Sequence, residues 1–370
     1  MVDLSPDLPF GLYERIVTER LRERLSALDA RLVVRGPLDP ADADPVLVRT
    51  VGEALGRALR GIRGNDQERL AAQIALCNDV VAQLARSVPQ AFDGPGDQVA
   101  TPHEILLALL VPPDPPAHPR PLPRPEIPLS QAALLVNGRD QPRIGAEVAR
   151  EMESADSVDL LSAFIKLQGL RTIERPLRAL RERGCPLRVI TTTYMGATDR
   201  RAIDALVDLG AEVKVSYETR TTRLHAKAWI FHRRTGFATA YVGSSNLSRS
   251  ALVDGLEWNV RLAQAEQPYL LDVCAATFEN YWADPDFPTY EPQRDRERFE
   301  RAVAAERGGG ADLPIEIAAL EVRPRPYQSE ILDRLEAERV IHGRWRNLVV
   351  AATGTGKTVI AALDYQRLRA

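Results

Sequence analysis

The sequence predicts an α/β protein: a helical N-terminal region, a central α/β sandwich, and the start of a further strand–loop–helix unit. Three observations predict it. Apolar residues recur at helical spacing through the first hundred positions. Strand and helix patterns then alternate from Leu129 to about Gln293. Two stretches that cannot belong to either, one rich in proline and one charged and ending in glycines, separate the parts. At 370 residues the chain exceeds one ordinary domain. Its 45% hydrophobic and 27% charged composition is that of a soluble globular protein and excludes disordered, collagenous and membrane classes.

Taken in order, region 1–111 reads as helices. Leu12, Ile16, Leu21, Leu25 and Leu28 are spaced for one helical face with Glu and Arg between them, and 45–62 and 65–87 repeat the pattern before a Gly94-Pro95-Gly96 turn. Nothing there carries recognisable chemistry, which fits a packing or partner-binding module. Residues 112–128 hold nine prolines in seventeen positions, a semi-rigid extended linker. In 129–293, strands are predicted at 158–165, 187–193, 212–217, 224–232, 239–243 and 256–262, and helices at 144–154, 170–183, 200–209 and 268–282. A second linker is expected over 294–318, through Gly308-Gly309-Gly310. In 319–370 a helix at 327–340 and a buried strand at 347–352 lead to a glycine-rich turn and a last helix.

Net charge is −3, so no global basic field advertises nucleic acid and any such contact needs a local patch. Of 48 basic residues only Lys166, Lys214, Lys227 and Lys357 are lysines. Arg forks its charge and keeps its proton, whereas Lys is a compact point charge, so each retained lysine asks for a reason. Cys77, Cys185 and Cys274 lie far apart, which argues against a disulfide framework or zinc site and fits a reducing compartment. The start lacks a basic region followed by an apolar core, and the longest strongly apolar stretch, about 105–111, is far short of a membrane span. The expectation is a cytoplasmic protein with no membrane partner.

The first constellation is His225, Lys227, Asn246 and Glu257. In a strand over 224–232, His225 and Lys227 are two apart and project from one face. Gly243-Ser244-Ser245-Asn246 is a small-residue turn that lets backbone approach an anion, and Glu257 follows on the next strand pattern. An imidazole nucleophile, a fixed ammonium and an amide donor form a phosphate-handling set, and a carboxylate can hold the imidazole tautomer. An isolated His-x-Lys is more often core or surface; the conjunction gives it weight. Arg220, Arg223 and Arg249, with Arg233 and Arg234, cluster around the motif and suit nucleic-acid phosphates, though solvated loop charge is an equal reading for any one of them. Thr191, Thr192 and Thr193 end a strand and are expected to line the groove. Lys166 is left unassigned, and His232 reads as a strand-end surface residue.

His-x-Lys followed by Gly-Ser-x-Asn and a downstream Glu resembles the phospholipase D superfamily, specifically its small nuclease branch. The resemblance implies His225 as covalent nucleophile, Lys227 and Asn246 as phosphate ligands, Glu257 as support for the histidine, and no metal. His232 stands where the fuller motif has Asp. A second histidine, from a paired motif, protonates the leaving group in that family. None of His103, His118, His232 or His342 sits in a second His-x-Lys, so two chains are needed, which predicts a homodimer.

The second constellation is Ala351-Ala352-Thr353-Gly354-Thr355-Gly356-Lys357-Thr358, between an apolar strand pattern and a helix. Backbone amides around Gly354, Thr355 and Gly356 would cradle phosphates, Lys357 would reach the β/γ oxygens and Thr358 the magnesium. With Arg325-Pro326-Tyr327-Gln328 upstream it resembles superfamily 2 helicases and restriction-enzyme translocases, whose RecA-like P-loop domain starts this way. The resemblance implies that Gln328 reads adenine and that ATP and Mg serve the full-length helicase. Twelve residues after Thr358 the sequence stops without an acidic box, so neither ATP hydrolysis nor unwinding is expected of this chain.

The order as a whole resembles bacterial helicases with a fused phospholipase D-like domain. The function expected is a DNA-directed phosphodiesterase domain of an ATP-dependent helicase, cleaving through a phosphohistidine without metal. The alternative is a non-catalytic DNA-gripping or dimerisation module. A lipid phosphatidyltransferase shares the chemistry but is disfavoured by the missing membrane segments and duplicated motif.

Overall fold

The computed structural model describes residues 11–110, 123–138, 142–218, 224–308, 326–350 and 357–369. They fall into two units, Met1–Leu109 and Leu110–Ala370. The first is helical: α1 (Glu19–Ser26), α2 (Ala43–Gly61) and α3 (Asp66–Ser87). Thr18 caps α1 by accepting from Leu21 N, so the apolar spacing at Leu12 and Ile16 lies ahead of the helix. Asn65 and Glu68 form a reciprocal capping box that fixes the start of α3.

In the second unit the alternating pattern becomes β1 (Ala133–Leu135), α4 (Ile144–Ser154), β2 (Ser157–Ser162), α5 (Leu167–Thr172), α6 (Glu174–Glu182), β3 (Leu187–Thr192), α7 (Arg200–Asp208), β4 (Glu212–Ser216), β5 (Lys227–His232), β6 (Thr239–Gly243), β7 (Asn259–Ala263), α8 (Pro268–Ala283) and α9 (Pro292–Gly308). The seven strands form one mixed sheet in the order β1-β7-β6-β5-β2-β3-β4. Pairs β2–β3 and β3–β4 are parallel, and the rest are antiparallel. One face carries Val158, Leu160, Val189, Val213, Trp229 and Phe231 under α4, α6, α7 and α9, whose Met152, Leu180, Ile203 and Phe299 complete the main core. The other face carries Leu161, Ile190, Ile230 and Ala240 under Leu271 and Phe278 of α8. The result is the α/β sandwich that the strand–helix alternation predicts.

A buried polar knot holds the sheet to α4. Glu151, fully buried, accepts from Arg233 Nη2 (2.6 Å), Arg261 Nη2 (2.9 Å) and the Tyr241 hydroxyl (2.9 Å). Arg233 is therefore a core residue; its placement among phosphate-gripping arginines is corrected by this pairing. Arg261 also donates to the carbonyls of Pro128 and Gln131, and Glu147 accepts from the backbone amide of Glu126 (3.1 Å). The last residues of the proline-rich segment are thus fastened to the sandwich rather than left as a spacer.

Other expectations shift for physical reasons. The single helix predicted over 170–183 is two, broken at Ile173, with Pro176 in the first turn of α6 where its missing N–H costs nothing. The first part of the expected linker 294–318 is α9, because Phe299 and Val303 pack into the main core; 309–325 lie outside the described residues. Beyond them α10 (Pro326–Val340) and α11 (Lys357–Arg369) are joined by a two-pronged Arg339–Asp364 ion pair. The strand predicted at 347–352 is absent over 347–350, where Leu348 and Val350 stand exposed: no strand among the described residues pairs there, and a strand unpaired has no ladder to form.

Candidate active site

The carboxyl ends of β2, β3 and β6 and the starts of β5 and β7 meet at one edge of the sheet, set by the registers Ser162↔Lys227 and Gly243↔Asn259. This edge collects the first constellation. β5 begins at Lys227, so His225 lies just outside the ladder instead of within it, and its side chain is exposed. Lys227 is buried, and its Nζ stands 2.9 Å from His225 Nδ1 and 3.2 Å from Nε2 while donating to the His225 carbonyl (2.6 Å). Burial pulls the Lys227 ammonium below its ordinary pKa, opposed by the field of Glu257.

The turn after β6 completes the site. Gly243 is required there, since a Cβ would run into the Trp258 carbonyl. Asn246 is half-buried, and its Oδ1 accepts from Phe164 N at 3.0 Å. Leu247 N donates to Ser162 Oγ (3.1 Å) and Lys166 N to Leu247 O (2.8 Å), which moors the turn to the end of β2. Glu257 precedes β7, and its Oε2 accepts from Ser244 Oγ. The support expected of Glu257 for the imidazole is therefore exercised on the turn and, through its field, on Lys227.

Phe164 was not legible as a site residue. Its ring meets the His225 ring edge-on with centroids 5.9 Å apart, lies 5.8 Å from Lys227 Nζ, and its amide holds Asn246. One aromatic thus touches three of the four motif side chains. The only signal in the sequence was its place at the end of an apolar strand pattern.

Several expectations change here. Thr191, Thr192 and Thr193 are fully buried and line no open groove; Thr191 Oγ1 donates to Ala163 O and Thr192 Oγ1 accepts from Tyr194 N, so these two hydroxyls serve the fold, while the buried Thr193 hydroxyl meets no hydrogen-bond partner among the described residues. His232, at the far end of β5 and about 17 Å along the strand from Lys227, is half-buried with Nε2 2.7 Å from Asp159 Oδ2. Burial raises the Asp159 pKa, but bonds from His232 and Arg188 outweigh it and hold the carboxyl below its usual range. Lys166, whose backbone N–H holds Leu247 O, turns its ammonium to Asp199 (3.4 Å). Lys214 donates to the Trp282 carbonyl (2.6 Å) and lies over that ring.

Arg249 is exposed on the turn after Asn246, and Arg220 and Arg223 lie outside the described residues. Gln328 is buried on α10. Gly354, Thr355 and Gly356 lie outside the described residues, as do the side chains of Lys357 and Thr358 at the start of α11. No group of three or more His, Cys, Asp and Glu side chains among the described residues could hold a metal ion. No helix among them is long and apolar enough to cross a membrane.

Residues 149–282 match the family described as cardiolipin synthase, PLD-like domain, and residues 321–370 the type III restriction enzyme, res subunit. No curated protein matches the chain. Among solved structures it is similar to NucT from Helicobacter pylori (13% identity, 43% of this chain and 99% of that one, TM-score 0.35). It is also similar to a phospholipase D family member, Nuc from Salmonella typhimurium (17%, 44% and 99%, 0.33), and to polyphosphate kinase from Porphyromonas gingivalis (16%, 44% and 27%, 0.32). With the matched segment spanning the edge where His225, Lys227 and Asn246 gather, the chain carries a phospholipase D-like domain followed by the start of a helicase-family, P-loop domain.

Proposed function

We propose that the phospholipase D-like domain cleaves DNA phosphodiesters through a phosphohistidine on His225, without metal, in the service of an ATP-dependent helicase. The observation that carries this is the meeting of His225, Lys227 and Asn246 around Phe164 at one sheet edge, together with the match of the following segment to a restriction-enzyme res subunit.

The chemistry runs from the geometry. His225 is exposed, so an imidazole nitrogen can reach phosphorus in line with the leaving oxygen. The Lys227 ammonium, already against the ring, needs only to turn from imidazole to phosphate to meet the charge that grows on the non-bridging oxygens. The Asn246 amide nitrogen is the second donor, its oxygen being held by Phe164 N. A phosphorus–nitrogen bond forms as the phosphorus–oxygen ester bond breaks, and the leaving alkoxide takes a proton. Water then attacks phosphorus and returns His225. One imidazole cannot be nucleophile and acid at once, so the acid is the His225 of a second copy, and the active form is a homodimer. In this reading the second constellation binds ATP and Mg in the full-length helicase through Gln328, Gly354, Thr355, Gly356, Lys357 and Thr358, and the compartment is the cytoplasm.

The test is cleavage of labelled DNA by the wild-type chain and by His225→Ala, each with and without EDTA. Activity that survives chelation and falls at least about 1,000-fold in the variant, as for loss of a covalent nucleophile, is expected. Cleavage abolished by EDTA or indifferent to His225→Ala overturns the proposal. DNA retained by both proteins without any cutting would instead favour a gripping module.

A further inference from the structure

We propose that α9, which lies outside the phospholipase D-like segment, positions the active site, with Glu306 and Arg307 of its last turn as the positioning residues. This rests on the phosphodiesterase reading above and adds to it residues that the motif does not contain. The match to the phospholipase D-like family ends at residue 282, and α9 begins at Pro292. Between them the chain fastens to the edge of β4, where Thr289 bridges to Lys214 and Tyr290 N donates to Val213 O (2.8 Å). α9 then buries Phe299 and Val303 in the main core, and its last turn reaches the site edge of the sheet.

Contacts lead from that turn to the motif without a gap. Met195, just past β3, has φ 58, a left-handed conformation that residues other than glycine rarely adopt. It is held there from α9: Glu306 Oε2 accepts from Met195 N (3.1 Å), and Arg307 Nε donates to Gly196 O (2.8 Å). The approach is close, since a Cβ on Gly196 would lie 2.8 Å from Val303 O. Two residues on, the buried Thr198 hydroxyl donates to Thr192 O (2.8 Å) and lies 3.3 Å from Ala163 O. Asp199 N donates to Ile165 O (2.8 Å), and its carboxylate accepts from Leu167 N (3.1 Å). The residues on both sides of Phe164 are thus fixed by the stretch that α9 latches, and Phe164 meets the His225 ring and holds Asn246 through its amide. α9 grips the other approach to His225 as well. The Arg298 guanidinium stands 4.0 Å from the centre of the Tyr217 ring, one residue past β4 and eight before His225.

The experiment uses the whole chain with Glu306→Ala and Arg307→Ala combined. Phe299 and Val303 keep α9 docked, and thermal melts check that the fold survives. Imidazole resonances give a readout that needs no activity: the chain has five histidines, and His225→Ala identifies the signal of interest. The expected result is a shifted His225 resonance, because the Phe164 ring moves against it, with His232 at the far end of β5 unmoved. In the DNA-cleavage assay kcat should fall about 10- to 100-fold, as for a small misplacement of reacting groups, with KM little changed. Glu306→Gln alone keeps an oxygen for the Met195 N–H and should recover most of what Glu306→Ala alone loses. A His225 resonance and a kcat both indifferent to the double substitution overturn the proposal and leave the phosphodiesterase reading intact. A shifted resonance in a chain whose wild type cuts no DNA upholds the latch and overturns that reading instead.

Discussion

Lys227 shows how a single residue pays in stability for chemistry. Its ammonium is buried, which lowers its pKa, and its contacts are the His225 ring and carbonyl rather than a carboxylate at hydrogen-bond distance. With the folded pKa below the unfolded one, the unfolded chain binds more protons between the two values, so this group makes stability rise with pH across that alkaline interval. Lys227→Met keeps the stem and removes the charge that burial disfavours. The thermal midpoint is expected to rise, by about 2–4 °C per kcal/mol for a unit of this size, and the alkaline rise in stability should flatten. Cleavage should be lost at the same time. A midpoint that falls by several degrees would mean that the ammonium stabilises the fold.

The elements were legible where burial alone shapes the pattern and blurred where a contact between elements decides. β6 and α4 begin and end where their periodicity predicts, because alternating burial on one sheet and one apolar helix stripe leave no freedom. Charge dominates the first residues of 294–318 and makes them look like a joint; Phe299 and Val303, four apart on α9, dock on the main core only because that core is there. Of the motif residues, His225, Lys227 and Asn246 announce themselves by spacing, whereas Phe164 and Ser162 act through the end of β2 and carry no spacing at all. α5 gives the sharpest example. A Cβ on Gly169 would lie 2.5–2.6 Å from Ser248 Cα, Ser248 N and Leu247 O, which are backbone atoms of the turn holding Asn246. Gly169→Ala must therefore push α5 and the turn apart. Overpacking of this kind costs about 1–3 kcal/mol, measurable by urea unfolding. The displaced Asn246 should cut kcat at least tenfold in the DNA-cleavage assay. Unaltered kcat at reduced stability would show that the turn's position is not set by α5.

At the scale of the whole molecule, charge argues that DNA is held locally or not at all. The chain carries a net −3, and two copies double that excess, so the long-range field repels a polyanion. Many arginines are already spent inside: Arg233 and Arg261 on Glu151, Arg188 on Asp159, Arg200 on Asp204 and Glu300. The cations closest to the motif in sequence are Lys227 within it, Arg249 three positions after Asn246, and Arg220 and Arg223 shortly before His225. Binding measured on the His225→Ala chain, so that substrate is not consumed, should weaken with salt. About four to eight cations across a pair give a slope of log K against log salt of about −3 to −7, from roughly 0.7–0.9 per phosphate contact. Arg249→Ala removes one contact from each copy and should flatten that slope by about 1.5–2, with little dependence on DNA sequence because phosphate contacts position without reading bases. A slope unchanged by Arg249→Ala would place the DNA away from the turn that carries Asn246. Binding that grows with added salt would mean that apolar contacts, not phosphates, hold the strand.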